Sequence, residues 1–212
     1  MIVPQEKPHC DFSENDLYIG QSYTENVYVH SKYLAEEAVI SAIKNSRINA
    51  SIYRIGHILW DSHTGLFQTN YQSNDVYMLI DAFRTTQKIP TEFSKSKMPI
   101  IPVNDCARII CHELNADENR VYHLYDDSLS WGELMATLGV TELASFVEFA
   151  IETQKHQTQT VKFAEMFLAA IVASNGQFAV NITNEETKRY LEERDCLLAK
   201  VDSEYIKKYH FK

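Results

Sequence analysis

The sequence predicts an α/β fold, and three observations carry that prediction. An amphipathic stretch beginning near Thr24 runs straight into an alternating, β-branched stretch at 49–60. Helix followed by buried strand is half of a parallel α/β unit. Two further stretches repeat apolar residues at i, i+3, i+4 and i+7, and short extended runs separate them. No internal repeat, low-complexity tract or linker divides the 212 residues, a length suited to one substantial domain with or without a small appendage.

Each element has its own local reason. Residues 1–22 are polar and rich in turn formers. A helix is expected from Thr24 to about Asn45: Thr24 caps it, Glu25 sits in the first turn, and Val27, Leu34, Ala38 and Ala42 line one face. "NASIYRIGHILW" (49–60) reads as a buried strand ending near Gly56. After a loop, a second helix starts near Asn74, with Val76, Leu79, Ile80 and Phe83 at helical spacing. Residues 88–105 are proline-punctuated and extended. A third helix, capped around Asn104, shows Ala107, Ile110, Cys111 and Leu114 on one face, and "RVYHLYD" (120–126) is a short strand. Capping boxes pair Ser130 with Glu133, Ser145 with Glu148 and Thr183 with Glu186. The stretch 157–175 is apolar around much of a helical circumference and is expected to be largely buried.

Composition narrows the function. The chain is 45% hydrophobic and 23% charged, with a formal charge of -9 spread along its length. Nucleic-acid and anionic-membrane surfaces want clustered Lys and Arg, so neither partner is expected. No apolar run approaches a membrane span, and "MIVPQEKPHC" lacks the basic start and apolar core of a signal peptide. Cys10, Cys106, Cys111 and Cys196 form no disulfide framework or CxxC pair, which reads as reduced thiols in a cytoplasmic protein. Cys106 and Cys111 fall among apolar residues at core spacing, so buried thiols are expected there, and no metal site. Met98, Met135 and Met166 read as core filler. The six glycines contain no GxGxxG and no GxxxxGK[ST], so no loop here cradles a phosphate in the usual way.

The candidate chemistry lies in "NVYVHSKYLAEEAV" (26–39), where Tyr28 stands four residues before Lys32. Side chains at that spacing leave the same helix face. The pair suits carbonyl reduction. As hydride reaches carbon, negative charge develops on oxygen, and a phenol within hydrogen-bond reach can donate its proton. A nearby ammonium favours the phenolate and so makes the phenol a better donor.

Longer stretches carry a family resemblance. "YVHSKYLAE" resembles the active-site helix of extended short-chain dehydrogenase/reductases. "FSENDLYIGQSYTENVYVHSKYLAEE" (12–37) resembles, more narrowly, the terminal thioester reductase domains of nonribosomal peptide synthetases. "YRIGHILWDSHTGLFQTN" (53–70) is similar to their "R.GNI.G...G.FQ.N", "IIPVNDCARII" (100–110) to "..PVD.VA.AI", and "RVYHLYDDSLSWGELMATLGV" (120–140) to "..FH......W.EL...L". The ending "VNITNEETKRYLEERDCLLAKVDSEYIKKY" (180–209) resembles "I.N..T...L...GF.W......Y". The resemblance covers nearly the whole chain, in the family's order.

The resemblance implies a partial Rossmann-like fold lacking its amino-terminal nucleotide-binding half, joined to a mostly helical substrate-binding subdomain. Residues 1–58 would belong to the Rossmann-like part and 59–212 mostly to the subdomain, with 100–126 returning to the Rossmann side. It implies NADPH as cofactor and, as partner, a carrier protein whose phosphopantetheine arm delivers an acyl or peptidyl thioester for release as aldehyde or alcohol. Tyr28 would be the proton donor. Lys32 would lower its pKa and bind the nicotinamide ribose, with Ile55, Gly56 and His57 beside the nicotinamide. His57 replaces the family's asparagine and reads either as a polar substitute or as hydrogen-bonded structure. Asn104 stands where the family has aspartate. The catalytic serine or threonine and the glycine-rich loop would lie upstream. Tyr71 and Tyr77 are substrate-side candidates that packing also explains. Without its phosphate loop the chain also reads as a silent carrier-docking module. An incomplete sheet would leave the 24–45 helix and the 49–58 strand exposed, inviting self-association.

Overall fold

The computed structural model describes residues 10–20, 27–114, 118–173 and 180–209. In chain order the first elements are β1 (Cys10–Phe12), α1 (Val27–Lys44), β2 (Ser51–Ile55) and β3 (His57–Leu59). A 3-10 turn (Tyr71–Ser73) leads into α2 (Asp75–Thr86), β4 (Lys88–Pro90), α3 (Thr91–Ser94), β5 (Ile100–Pro102) and α4 (Val103–Glu113). Then come β6 (Arg120–Leu124), α5 (Trp131–Thr137), β7 (Glu142–Ala144), α6 (Phe146–Thr153) and α7 (Gln159–Ala173). β8 (Val180–Ile182), α8 (Glu185–Glu192) and α9 (Ser203–Lys207) complete the chain. This is the α/β fold expected, built from small parallel sheets among many helices.

Among the described residues the strands pair in parallel: β1 with β8, β2 with β6, β3 with β5, and β4 with β7. Ser51 lies opposite Arg120, and Ile55 opposite Leu124. The strand expected to end near Gly56 does so as β2, and a second strand, β3, follows directly because the chain changes hydrogen-bond partner there. The Gly56 N–H donates to the Leu124 carbonyl at 3.0 Å, and the next N–H, of His57, donates to Pro99 at 2.8 Å. β2 is half-buried rather than buried, since no third strand joins the β2–β6 pair among the described residues.

α1 has the predicted extent over its described length, but the expected face is not the one turned inward, since Val27, Leu34 and Ala38 are exposed; the Thr24 cap and Glu25 lie outside the described residues. No α1 residue is buried. A cleft of about 410 Å³ separates it from the sheet, with Ile40 and Ile43 of the helix facing Ile52 and Val121 of the strands.

The larger core forms around α2. Asn74 caps this helix, its side chain accepting from the Tyr77 N–H, and Val76, Leu79, Ile80 and Phe83 are all buried as the spacing predicts. Phe83 is fully enclosed and meets Trp131 and Phe149 edge-on at 5.9 and 5.6 Å. Trp60 secures the chain's last helix: its indole N–H donates to the Tyr205 carbonyl at 3.1 Å, and the Tyr205 hydroxyl donates back to the Trp60 carbonyl at 2.9 Å. A second buried cluster, including Ile109, Tyr122, Leu124 and Leu191, lies between α4, β6 and α8.

Several local expectations are corrected. The buried face of α4 is Cys106, Ile109 and Glu113, not the Ala107–Leu114 stripe, and Leu114 is 70% exposed. Two stripes compete on this short helix, and its packing on β6 and α8 selects the other. Cys106 is accordingly buried and Cys111 exposed. Asn104 does not cap α4; its side chain accepts from the Ser62 N–H and donates to the Ser62 hydroxyl, both at 2.8 Å. The region 88–105 contains the helical turn α3. The boxes at Ser130 and Ser145 form, but α8 has Asn184 at its N-cap with no side-chain cap bond from it. α7 buries only one stripe, Val161, Ala164 and Leu168, because it lies over α2 from one side; Met166 is 67% exposed, whereas Met98 and Met135 are core.

Candidate active site

At the carboxyl end of β2, beside β6, a cleft of about 190 Å³ opens. That end of a parallel sheet is where α/β folds bind ligands. Ile55, Gly56 and His57 line it with Pro99, His123 and Tyr125. Gly56 has no room for a side chain: an added Cβ would stand 2.7 Å from the Pro99 carbonyl oxygen and 2.8 Å from Tyr125 Cβ. Ile55 and His57 are both exposed. Tyr125 is buried and donates from its hydroxyl to the Ile182 carbonyl at 2.6 Å, and burial, then Asp127, pushes its phenol well above the ordinary range.

α1 carries Tyr28 and Lys32 together on an open face. Tyr28 is 70% exposed, and the Lys32 ammonium stands 5.4 Å from the centroid of its ring, within cation–π range. The Ser31 hydroxyl is occupied locally, donating to the Tyr28 carbonyl at 2.7 Å.

The helix is tied to the strand by a pair that sequence reading does not single out. Glu36, one turn beyond Lys32, accepts from Arg54 Nε at 2.9 Å, and a second guanidinium nitrogen closes an ion pair on the same carboxylate oxygen. Arg54 also donates to the Ser13 carbonyl at 3.1 Å, to the Asp16 carbonyl, and to His123 Nε2 at 2.8 Å. The His123 Nδ1 lies 2.6 Å from the Thr183 carbonyl. A carbonyl only accepts and a guanidinium only donates, so His123 is the neutral tautomer with its proton on Nδ1. Burial, reinforced by the Arg54 charge and opposed by the Thr183 carbonyl, holds its pKa below the ordinary histidine value. The available signals were an acid one turn past the lysine and a charged residue inside an otherwise apolar strand.

The acidic run before α1 is structural wiring. Asp16 accepts from the Ser13 hydroxyl and N–H, at 2.7 and 2.9 Å, which hold its carboxyl below the usual range. Glu14, 5% exposed, accepts from the Thr187 N–H at 2.7 Å in the first turn of α8. Tyr71 and Tyr77 meet edge-on at 4.8 Å, and neither lines the cleft. Tyr77 is buried, and burial foremost, with Asp81 beside it, pushes its phenol up to about 12.

The fold defines a class. The chain superposes on a thiolation-reductase di-domain from an archaeal non-ribosomal peptide synthetase with a TM-score of 0.79 and 24% identity, covering 95% of this chain and 43% of that one. The terminal R domain of the myxalamid PKS-NRPS pathway gives 0.78 and 19%, covering 98% and 54%. The reductase domain of a Mycobacterium tuberculosis nonribosomal peptide synthetase gives 0.61 and 15%, covering 89% and 51%. The fold is thus that of reductase domains, and the chain spans about half the length of these solved chains. No curated protein matches it. Residues 5–110, half of the chain, match the NAD-binding family described as male sterility protein, and the chain belongs to that family.

Proposed function

We propose that this chain supplies the proton-donating helix and the nicotinamide-side strand of an NADPH-dependent thioester reductase, which releases a carrier-bound acyl or peptidyl group as an aldehyde or alcohol. One observation carries the reading: the Lys32 ammonium lies over the Tyr28 ring on an exposed helix face that Glu36 and Arg54 tie to the strand ending at Gly56. Membership in an NAD-binding family supports a nicotinamide cofactor. The cleft suits its nicotinamide end, since it opens at the carboxyl end of β2 and Ile55, Gly56 and His57 line it. Lys32 would hold the nicotinamide ribose, the 55–57 backbone would lie beside the nicotinamide, and the bound cofactor supplies hydride.

Tyr28 then hands its proton to the carbonyl oxygen as negative charge develops there, with Lys32 steadying the phenolate left behind. Breaking the C–S bond of the resulting hemithioacetal frees the aldehyde and the carrier's thiol. One thioester, one reduced nicotinamide and one proton give one aldehyde, one thiol and one oxidised nicotinamide. Residues 1–58 serve the nicotinamide side and 59–212 mostly the substrate side, with 100–126 returning to the former. Tyr71 and Tyr77, in edge-on contact, are the substrate-side candidates, and the partner is a carrier domain bearing phosphopantetheine; the archaeal relative is itself a thiolation-reductase di-domain.

Reduction of a pantetheine thioester with NADPH, followed at 340 nm in the full protein that carries this segment, tests the reading. Tyr28→Phe is expected to lower kcat by about 10²- to 10⁴-fold, the usual worth of a general acid; undiminished turnover overturns it. A second reading, a carrier-docking module without reducing activity, draws on the absence of a GxGxxG from the sequence. Carrier binding with no NADPH oxidation favours that alternative.

A further inference from the structure

Tyr28, Lys32 and Glu36 fall at i, i+4 and i+8 on α1, so they form one line along one face. Lys32 has a phenol one turn before it and a carboxylate one turn after it. A carboxylate at i+4 ordinarily attracts a lysine, and a lysine turned that way would leave the phenol. The structure resolves the competition. The Lys32 ammonium stands over the Tyr28 ring at 5.4 Å, and Glu36 points into the molecule, where Arg54 grips it with two nitrogens. The two side chains of that ion pair are only 8% and 18% exposed, so water screens the pair weakly. Arg54 is itself held on three further acceptors, the Ser13 and Asp16 carbonyls and His123 Nε2. It therefore meets Glu36 pre-positioned.

From this geometry we infer that Arg54 is a positioning residue for the tyrosine–lysine pair: it draws the Glu36 carboxylate off the helix face and leaves the Lys32 ammonium to Tyr28. The same bond sets α1 against the strand that ends at Gly56. The inference rests on the reading of Tyr28 and Lys32 as the reacting pair, but its test does not require turnover.

The test follows the titration of the Tyr28 ring by NMR in protein labelled with ¹³C at tyrosine Cζ, with the Tyr28 signal identified by its loss in Tyr28→Phe. Glu36→Gln removes a negative charge and leaves Arg54 uncompensated, so Tyr28 is expected to titrate at lower pH than in the parent protein. Arg54→Gln strands the carboxylate, which turns to Lys32, so Tyr28 is expected to titrate at higher pH. Eight residues of helix span about 12 Å, and a unit charge across water at that distance moves a titration by about 0.3 pH unit. Damage to the fold alone would move both variants in the same direction. If Arg54→Gln does not fold, Arg54→Lys is used, which keeps the charge but loses the two-nitrogen grip; a smaller move to higher pH is expected. Shifts of opposite sign support the inference. Equal, absent or like-signed shifts overturn it. Loss of turnover in Tyr28→Phe with no opposite shifts would retain the proposed function and reject this inference.

Discussion

Gly56 is where one residue settles strand pairing beside the cleft. Its backbone passes so close to Pro99 and Tyr125 that even a methyl group would sit 2.7 Å from a carbonyl oxygen belonging to backbone, which cannot swing away. Gly56→Ala is therefore expected to destabilise the protein by about 1–3 kcal/mol, the usual penalty of overpacking. It should also push β3 away from β5, because the His57 N–H bond to Pro99 spans that contact. Urea unfolding measures the loss; a midpoint within error of the parent would show that the strands have slack the distances deny. The neighbouring His57 side chain is exposed and lines the same cleft.

Among the elements, α8 shows how distant segments complete one another. A helix begins with N–H groups that have no partner inside the helix. The sequence offers Thr183 and Glu186 as a local box, but the Asn184 side chain donates instead to the Tyr125 carbonyl at 2.7 Å, and Glu186 accepts from Asn15. The cap comes from Glu14, more than 170 residues earlier, through its bond to the Thr187 N–H. Glu14→Ala leaves that buried N–H without an acceptor and is expected to cost about 2 kcal/mol. Glu14→Gln keeps an acceptor and should cost less. Chemical unfolding with an unchanged m-value checks both, and equal losses for the two variants would remove the capping explanation. By contrast α5 and α6 are capped by their own neighbours, Ser130 and Ser145, so their starts were legible from four residues of sequence.

Over the whole molecule, acid stability follows from groups that must keep their charge state for the parts to stay joined. His123, buried against Arg54 and Thr183, has its pKa lowered in the fold from an ordinary 6.5. Between that ordinary value and the folded one, the unfolded chain binds the extra proton and the native one does not, so stability is complete above about pH 6.5 and falls as pH drops below it. Glu113 responds lower on the scale. Burial works against its charge, but hydrogen bonds from His112 and Tyr122, with Arg194 nearby, hold its carboxyl below the ordinary 4.5. Its contribution is present above that value and is lost as pH falls further. Thermal melts from pH 7.5 to about 3 are expected to decline in two stages, and His123→Gln should flatten the first. A first stage unchanged in that variant would reassign it to another group.

What could be read from the sequence alone was whatever depends on near neighbours: the apolar stripe of α2, the caps at Ser130 and Ser145, and the Tyr28–Lys32 pair on a single helix face. Spacing of three or four residues controls each of these, because a helix brings those side chains together wherever it lies in space. Tertiary structure alone decided which stripe of α4 is buried, where the chain changes sheet partner, and which groups complete α8 and hold Arg54. Those choices depend on atoms distant in sequence competing for the same hydrogen bonds and the same apolar surface, and no local pattern records who wins.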